Sequence, residues 1–379
     1  MKRVLILTAG YGEGHNSAAR ALKTAFDERP GVQAELIDVF ALHAPRLDRI
    51  SRKAYLRVIN QAPHTWAAIY RWLDRSPHAP FLFRAFSGHR RLLAQLIAEK
   101  QPVALVSTYP VYAWLLEQLR ARGATVPPLH TVVTDAITIN SLWYRAPSEG
   151  WFVTDPDSAA FLHAHGVPAG QVRASGFPVA LAFADRPARL QPPAPSAGRR
   201  RILYMINSGR ARARVTARAL LQHPEWHITF TSGRDAQLQA ELTELARLAP
   251  AGADVLGWTE KIPELLMTHH VVISKAGGAT TQESINALCP MLVNQIVPGQ
   301  EEGNYELLRR NEAGALAETP ARVVETLQRA FENDAALWLR WRANLGRLAR
   351  PAAARDIAAT VLGPAAVVPV AGQPNLVSS

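Results

Sequence analysis

Short apolar runs alternate with longer amphipathic segments through both halves of the chain, and this alternation restricts the possible folds severely. Strand-length runs separated by helix-length segments are typical of parallel sheets with crossover helices. The sequence therefore predicts an α/β fold of two similar doubly wound halves. The predicted strands are residues 4–8, 33–39, 103–108, 131–134 and 150–153, followed by 202–206, 227–231, 254–257, 271–274 and 291–296.

A proline-rich stretch divides the two halves. Residues 185–201 contain four prolines and lack apolar periodicity, so we interpret them as an interdomain linker. The boundaries predict an N-terminal domain over 1–184, a C-terminal domain over 202–362 that includes the terminal helices, and a flexible tail over 363–379. Because ligands bind at the carboxyl ends of parallel strands, the functional site is expected in the cleft between the domains.

The composition argues against a membrane-spanning or disulfide-stabilised protein. The two longest stretches with few charges, 284–300 and 357–379, are both interrupted by prolines, which predicts that neither spans a bilayer. The apolar run after the N-terminal basic residues is too short for a secretory signal. Cys289 is the single cysteine and has no partner for a disulfide or a zinc site. We therefore expect a cytoplasmic protein.

Positive charge is concentrated in one part of the chain. The whole sequence carries a formal net charge of +11, and residues 41–100 hold eleven basic against three acidic side chains, interleaved with aromatic and aliphatic ones. This mixture favours a helix at an anionic membrane surface. A solvated face over an ordinary core is the main alternative, and nucleic-acid binding is less favoured. The predicted membrane contacts are Arg49, Arg52, Lys53 and Arg57.

A glycine-rich loop joins the first predicted strand to the first predicted helix. Its glycines, Gly10, Gly12 and Gly14, allow a tight turn, and the helix that follows offers free backbone amides to a ligand. The spacing differs from the dinucleotide-binding pattern, so NAD binding is weakly supported. His15 ends the loop and could accept a proton from a hydroxyl group. A helix-capping or loop-bonding histidine is the alternative.

Two further polar segments follow predicted strands of the second half. Residues 274–283 form another strand, glycine turn and helix, in which the first amides could hold a diphosphate and Glu283 could bind ribose hydroxyls. Residues 297–304 offer Gln300 and Glu301 to sugar hydroxyls at the same sheet edge. Taken separately, the first would be a tight turn with an exposed glutamate and the second a surface loop. Together they indicate a nucleotide-sugar site.

Several of these segments resemble one family, the GT-B glycosyltransferases of the monogalactosyldiacylglycerol synthase and processive diacylglycerol glucosyltransferase group. This group is related to the enzyme that adds N-acetylglucosamine to the peptidoglycan lipid intermediate. The resemblance spans most of the chain. It rests on Gly14-His15, Val133-Thr134-Asp135, Ser175-Gly176-Phe177-Pro178, Gly257-Trp258, the turn over 275–283 and the loop over 298–304.

The resemblance implies a GT-B fold, in which two Rossmann-like domains face each other across a cleft. It further implies an inverting transfer of a hexose from UDP-galactose or UDP-glucose to the hydroxyl of diacylglycerol. The partners would then be a UDP-sugar, diacylglycerol and an anionic membrane surface, with the protein peripheral on the cytoplasmic face of the cell membrane. The UDP-sugar is a co-substrate, and neither a cofactor nor a metal is implied.

The resemblance also assigns roles to residues of this chain. His15 would be the catalytic base, Asp135 would orient or replace it, and Gly12 and Gly14 would line the acceptor side. Glu283 would bind the ribose, and the backbone near Trp258 would bind the uracil. The diphosphate would face Gly277, Gly278 and Thr280 together with Ser208 and Gly209, and the donor sugar would contact Gln300 and Glu301.

Departures from the family pattern leave some alternatives open. The plant synthases have Pro-Gly where this chain has Gly278-Ala279, so UDP-galactose, UDP-glucose and UDP-glucuronate all stay possible. Asp155 and Asp157 have the spacing of metal-dependent transferases, but they lie in the first half, and we interpret them as a turn. A transferase acting on another lipid or on a soluble acceptor is the nearest alternative function. A non-catalytic binder of nucleotide sugars or nucleic acid is the more distant one.

Overall fold

Two parallel β-sheets organise the protein in a computed structural model, which describes residues 1–76, 78–185, 191–207, 209–299 and 301–363. The first sheet has the strand order β2-β1-β3-β4-β5-β6. Its strands are β1 (Lys2–Leu7), β2 (Val32–Ile37), β3 (Ala104–Ser107), β4 (Leu129–Val132), β5 (Gly150–Val153) and β6 (Val172–Ala174). The helices around it are α1 (Glu13–Asp27), α2 (Val39–His43), α3 (Pro45–Gln61), α4 (Pro63–Arg75), α5 (Ala79–Leu82), α6 (Ser87–Lys100), α7 (Val111–Arg120), α8 (Pro156–Ala164) and α9 (Ala182–Asp185).

The second sheet repeats this architecture with the order β12-β11-β10-β7-β8-β9. Its strands are β7 (Arg200–Met205), β8 (Trp226–Thr231), β9 (Asp254–Leu256), β10 (Val271–Lys275), β11 (Met291–Gln295) and β12 (Gly314–Leu316). Its helices are α10 (Arg210–Leu221), α11 (Ala236–Leu248), α12 (Ile262–Thr268), α13 (Gly278–Asn286), α14 (Glu302–Arg310), α15 (Pro320–Leu348) and α16 (Ala353–Leu362).

The strand orders place the glycine loops where a ligand can bind. In the first sheet the order reverses between β1 and β3, and in the second between β7 and β10. At such a switch point the connections leave in opposite directions and open a crevice beyond the strand ends. The loop before α1 and the turn before α13 both lie at these crevices. The predicted doubly wound α/β fold is therefore confirmed.

The structure differs from the sequence prediction in three elements. Strands β6 and β12 were not predicted, because each has only three residues and too short an apolar run to recognise. The last helix, α16, was assigned to the C-terminal domain, yet its buried Ala354, Ile357 and Ala358 share a core cluster with Leu22 and other residues of α1. Helix α16 therefore packs its apolar face against the N-terminal domain.

The two domains meet through an apolar contact beneath the cleft. Ala136 and Phe177 of the first domain share one buried cluster with Ala276 and Ile285 of the second. The backbones approach so closely that a β-carbon built on Gly303 would lie only 1.9 Å from the carbonyl oxygen of Ala136. Only glycine permits this approach without displacing one domain from the other. Parts of the predicted linker and tail, 186–190 and 364–379, lie outside the described residues.

Candidate active site

The two glycine turns singled out in the sequence face each other across the cleft. A β-carbon built on Gly14, in the first turn of α1, would lie 3.8 Å from the backbone nitrogen of Ala279 in α13. One built on Gly278 would lie 3.3 Å from the carbonyl oxygen of Thr134, at the end of β4. Segments some 260 residues apart in the chain therefore form the two walls of one site.

His15 lies half-buried on the N-terminal wall of this site. Its Nδ1 is 3.0 Å from the hydroxyl oxygen of Thr134, and its ring packs edge-on against Tyr109. Burial lowers the pKa of His15 to about 4, with a hydrogen bond to the Thr108 backbone acting in the opposite direction. The imidazole is consequently neutral near pH 7, which is the form that can accept a proton.

Asp135 lies on the same wall and is held by two donors. The indole Nε1 of Trp143 donates to its Oδ2 over 2.9 Å, and the hydroxyl of Tyr70 donates to the same oxygen over 3.1 Å. Trp143 also packs against His15, with ring centroids 5.9 Å apart, so the indole stands between the two candidate bases. Burial raises the pKa of Asp135 to about 6, and both hydrogen bonds partly oppose this increase.

The opposite wall begins at the N-terminus of α13, for which Gly277 is the capping residue. The first bond of this helix runs from the amide of Thr281 to the carbonyl of Gly277 over 2.9 Å. The amides of Gly278, Ala279 and Thr280 therefore have no acceptor within the helix and form the positive end of its dipole. This arrangement suits an anionic group such as a diphosphate.

Glu283 extends this wall one turn further along α13. The hydroxyl of Ser17, on α1 of the facing domain, donates to its Oε1 over 3.2 Å. Burial raises the pKa of Glu283 to about 7, and the Ser17 hydrogen bond acts in the opposite direction. A half-buried carboxylate with one weak polar contact retains lone pairs that can accept hydrogen bonds from a diol.

Glu301 is placed differently from the free sugar contact predicted for it. Its carboxylate is buried, forms an ion pair with Lys275, and also accepts from the amide of Val297 over 3.0 Å. Both oxygens thus hold the loop after β11 against the end of β10. A contact between Glu301 and a donor sugar stays a prediction.

The other predicted donor residues are partly described. Gly209 is the N-terminal cap of α10 and follows β7, which lies beside β10 at the switch point of the second sheet. Trp258 follows β9 and is 58% exposed, with the Arg234 guanidinium over its ring at 5.4 Å. Ser208 and Gln300 lie outside the described residues. Asp155, from the predicted turn, is the N-terminal cap of α8 and accepts from the Ser158 amide over 2.9 Å.

One of the four predicted membrane contacts has an internal role instead. The guanidinium of Arg52 bonds Asp38 at 2.5 Å and Asp48 at 2.8 Å, and it covers Gly10 at the start of the first glycine loop. The buried carboxylate of Asp48 and the half-buried one of Asp38 hold this side chain against the loop. The side chains of Arg49, Lys53 and Arg57 are exposed, as predicted for a docking surface.

Four residues of the site were not predicted: Ser17, Tyr70, Thr134 and Trp143. Thr134 adjoins the motif residue Asp135, and its position at a strand end was the available signal. Ser17 and Tyr70 had no such signal, because each acts on a residue that is distant in sequence. Within the described part of the chain, no group of three or more His, Cys, Asp or Glu side chains could hold a metal ion. Across the same residues, no helix is both long and apolar enough to cross a bilayer.

Two facing Rossmann-like domains with the site between them define the GT-B fold, as the family resemblance implied. Solved structures of this architecture superpose over nearly the whole chain. MurG of Acinetobacter baumannii gives a TM-score of 0.62 at 17% identity, covering 96% of this chain and 99% of that one. UGT2 of Phytolacca americana, solved with UDP-2-fluoro-glucose and pterostilbene, gives 0.59 at 13% identity with the same coverage.

Sequence comparison confirms the predicted resemblance. Residues 15–179 match the family model described as monogalactosyldiacylglycerol (MGDG) synthase. A processive diacylglycerol beta-glucosyltransferase of Bacillus thuringiensis (strain Al Hakam) is 24% identical over 366 residues, covering 95% of this chain and 93% of the relative. The enzyme of the same name from Bacillus cytotoxicus is 25% identical over the same length. The similarity therefore extends through both domains.

Proposed function

We propose that this protein is a glycosyltransferase that moves a hexose from a UDP-sugar to the hydroxyl of diacylglycerol. One observation carries the proposal: the neutral imidazole of His15 lies on the wall that faces the free amides of α13. A base opposite an anion site is what a sugar transfer from a nucleotide requires. The names of the relatives support diacylglycerol as the acceptor, and neighbours solved with UDP and with UDP-GlcNAc support the donor.

The proposed reaction is a single displacement with inversion at the sugar. The acceptor oxygen forms a bond to the anomeric carbon while the bond from that carbon to the β-phosphate oxygen breaks. The acceptor proton passes to His15, and UDP leaves with the electron pair of the broken bond. The amides of Gly278 and Thr280 would stabilise the departing charge, and closure of the domains would exclude water. We assign Asp135 an orienting role because both of its donors hold it in place.

The remaining donor contacts follow the same arrangement. Glu283 would accept hydrogen bonds from the ribose diol in place of the Ser17 hydroxyl. Gly209, at the start of α10, would provide a second amide for the diphosphate, and the backbone near Trp258 would bind the uracil. Ser208, Gln300 and Glu301 keep the phosphate and sugar roles predicted from the sequence. Phosphate binding by helix amides would operate without a metal ion.

We further propose that α3, α4 and α5 dock the protein on the cytoplasmic, anionic face of a membrane. These helices expose large apolar side chains and basic ones on the same region of the surface, a combination that is typical of interfacial binding. The exposed apolar side chains are Leu47, Ile50, Ile69, Trp72, Phe81 and Leu82. The exposed basic side chains are Arg46, Arg49, Lys53, Arg57, Arg71 and Arg75, together with Arg84 just after α5.

Neutralising Arg49, Lys53 and Arg57 to glutamine should weaken binding to anionic vesicles about 100-fold, at about 1 kcal/mol per basic residue. Vesicle sedimentation at low and high salt measures the change. The matched control removes three exposed arginines from the C-terminal domain, Arg322, Arg329 and Arg340, with the same loss of charge. Equal weakening by the control triple would show that net charge, and not this surface, determines binding.

Product analysis tests the proposed function directly. Purified protein is incubated with diacylglycerol vesicles and a panel of UDP-galactose, UDP-glucose and UDP-glucuronate, with and without EDTA. We expect a glycosyldiacylglycerol from one of these donors, detected by mass spectrometry, and no loss of product with EDTA. Product formed only on an added soluble acceptor would overturn the acceptor assignment, and UDP-sugar binding without any transfer would indicate a binding protein.

A further inference from the structure

Helix α4 is fixed to the N-terminal wall of the site through its C-terminal half. The amide of Ser141 donates to the Asp74 carboxylate over 2.6 Å, and the Ser141 hydroxyl donates to the Asp74 carbonyl over 2.5 Å. The side-chain amide of Asn140 donates to the carbonyl of Tyr70 over 3.3 Å. These bonds tie α4 to the turn that carries Trp143, one of the two donors to Asp135.

The same helix contacts the facing domain. Gly299, in the loop after β11, has φ +84°, and a β-carbon built there would lie 3.4 Å from both the Cα of Ala67 and the Cδ1 of Tyr70. The small side chain at Ala67 and the glycine opposite it allow this contact. Ile69 and Trp72, on the same helix, are 43% and 50% exposed. Helix α4 therefore connects an exposed surface, the Asp135 wall and the opposite domain.

Tyr70, on α4, contacts both the Asp135 wall and the opposite domain. Its hydroxyl donates to Asp135 Oδ2, and the edge of its ring contacts the Gly299 loop. Burial raises the pKa of Tyr70 well above its usual value, so the phenol stays a hydrogen-bond donor across the physiological range. Its position links the orientation of the carboxylate to the contact between the domains.

We propose that Tyr70 is a positioning residue, which holds the Asp135 carboxylate in its reactive orientation while α4 is packed against the Gly299 loop. This inference rests on the proposed function, since it gives Asp135 a role in the transfer. A charge-assisted hydrogen bond favours the ionised carboxylate. Loss of the phenol should therefore raise the pKa of Asp135, because Trp143 alone would then stabilise its charged form.

Titratable and aromatic side chains surround the Tyr70–Asp135 pair. Asp74 on the same helix and Tyr55 on α3 face Tyr70. Trp143 faces Asp135 directly, and His15 packs on the other side of that indole. His15 is already neutral at the pH where Asp135 titrates, because its pKa of about 4 lies below the value of about 6 for Asp135. Glu283, with a pKa of about 7, is proposed to act on donor binding, so a change near pH 6 in the acid limb of kcat at saturating UDP-sugar reports on Asp135.

The test is Tyr70→Phe, measured by the pH profile of sugar transfer and by the titration of the Asp135 carboxyl carbon in ¹³C-aspartate-labelled protein. We expect the Asp135 pKa to rise by about one unit, as for loss of one bond to a charged group. In this proposal the ionised form is the active one, so kcat should fall about fivefold at pH 6, where the ionised fraction drops from about one half to about one tenth, and recover to within about threefold of wild type at pH 8. Tyr144→Phe is the control, because this half-buried tyrosine has no hydrogen-bonding partner for its hydroxyl among the described residues.

The other possible results would overturn either the role of Tyr70 or the proposed function. An unchanged Asp135 titration, or a uniform loss of activity at every pH, would make Tyr70 merely structural and overturn the inference. A shifted titration with an unshifted pH profile would also overturn it, because Asp135 would then not control the reaction. If the wild-type protein forms no glycolipid at all, the proposed function fails, and the titration still decides whether Tyr70 sets the state of Asp135.

Discussion

Alanine in place of His15 is expected to lower kcat by about 10²- to 10⁴-fold, the usual contribution of a general base. The affinity for UDP-glucose should stay within about twofold, because the donor residues lie on the opposite wall. The physical reason is that Asp135, the other candidate base on this wall, is held by Trp143, whose indole separates it from His15. Single-turnover transfer to diacylglycerol measures the loss, and calorimetry with UDP-glucose measures the retained binding.

The pH dependence of activity and a control variant at another histidine test the same role of His15. Burial disfavours the imidazolium, and with a pKa of about 4 His15 is neutral from about pH 5 upward. Activity should therefore not decline between pH 8 and pH 7 through protonation of this residue. His165→Ala, an exposed histidine on the same domain, is the control and should keep full activity. A His15→Ala variant with near-normal kcat would transfer the role of base to Asp135.

Glutamine in place of Glu283 is expected to weaken UDP-glucose binding about 10- to 100-fold, the cost of losing hydrogen bonds to a charged acceptor. The wild-type affinity should also depend on pH. Burial raises the pKa of Glu283 to about 7, so protonation below pH 7 removes the charged acceptor that we propose for the ribose. Affinity should then fall up to tenfold for each pH unit below 7 and level off above it. UDP-glucose is the suitable ligand because its diphosphate diester does not titrate in this range.

The Glu283→Gln variant should bind UDP-glucose weakly and with no pH dependence between 6 and 8. Glu325→Gln, an exposed glutamate on α15 far from the turn, should reproduce both the wild-type affinity and its pH dependence. Calorimetric titrations at four pH values measure the difference. Equal affinity of wild type at pH 6 and pH 8 would mean that Glu283 does not bind the ribose.

The local parts of the site could be predicted because each depends on a short stretch of chain. Gly277 and Gly278 follow a strand of buried residues and precede a helix, so a turn with free amides was evident from their neighbours alone. His15 at the end of the first glycine loop was evident in the same way. Arg52 was misjudged for the opposite reason, since the carboxylate of Asp38 that draws it inward lies 14 positions away.

Alternating hydrophobicity and the glycine punctuation established that this chain forms two doubly wound sheets with loops at their switch points, because side-chain periodicity and backbone freedom are properties of neighbouring residues. Folding in three dimensions alone determined that Ser17 meets Glu283, that Tyr70 meets Asp135, and that α16 returns to the first domain. Such pairings depend on which surfaces are buried against each other when the chain folds. No single segment determines this, because it is a property of the whole packed chain.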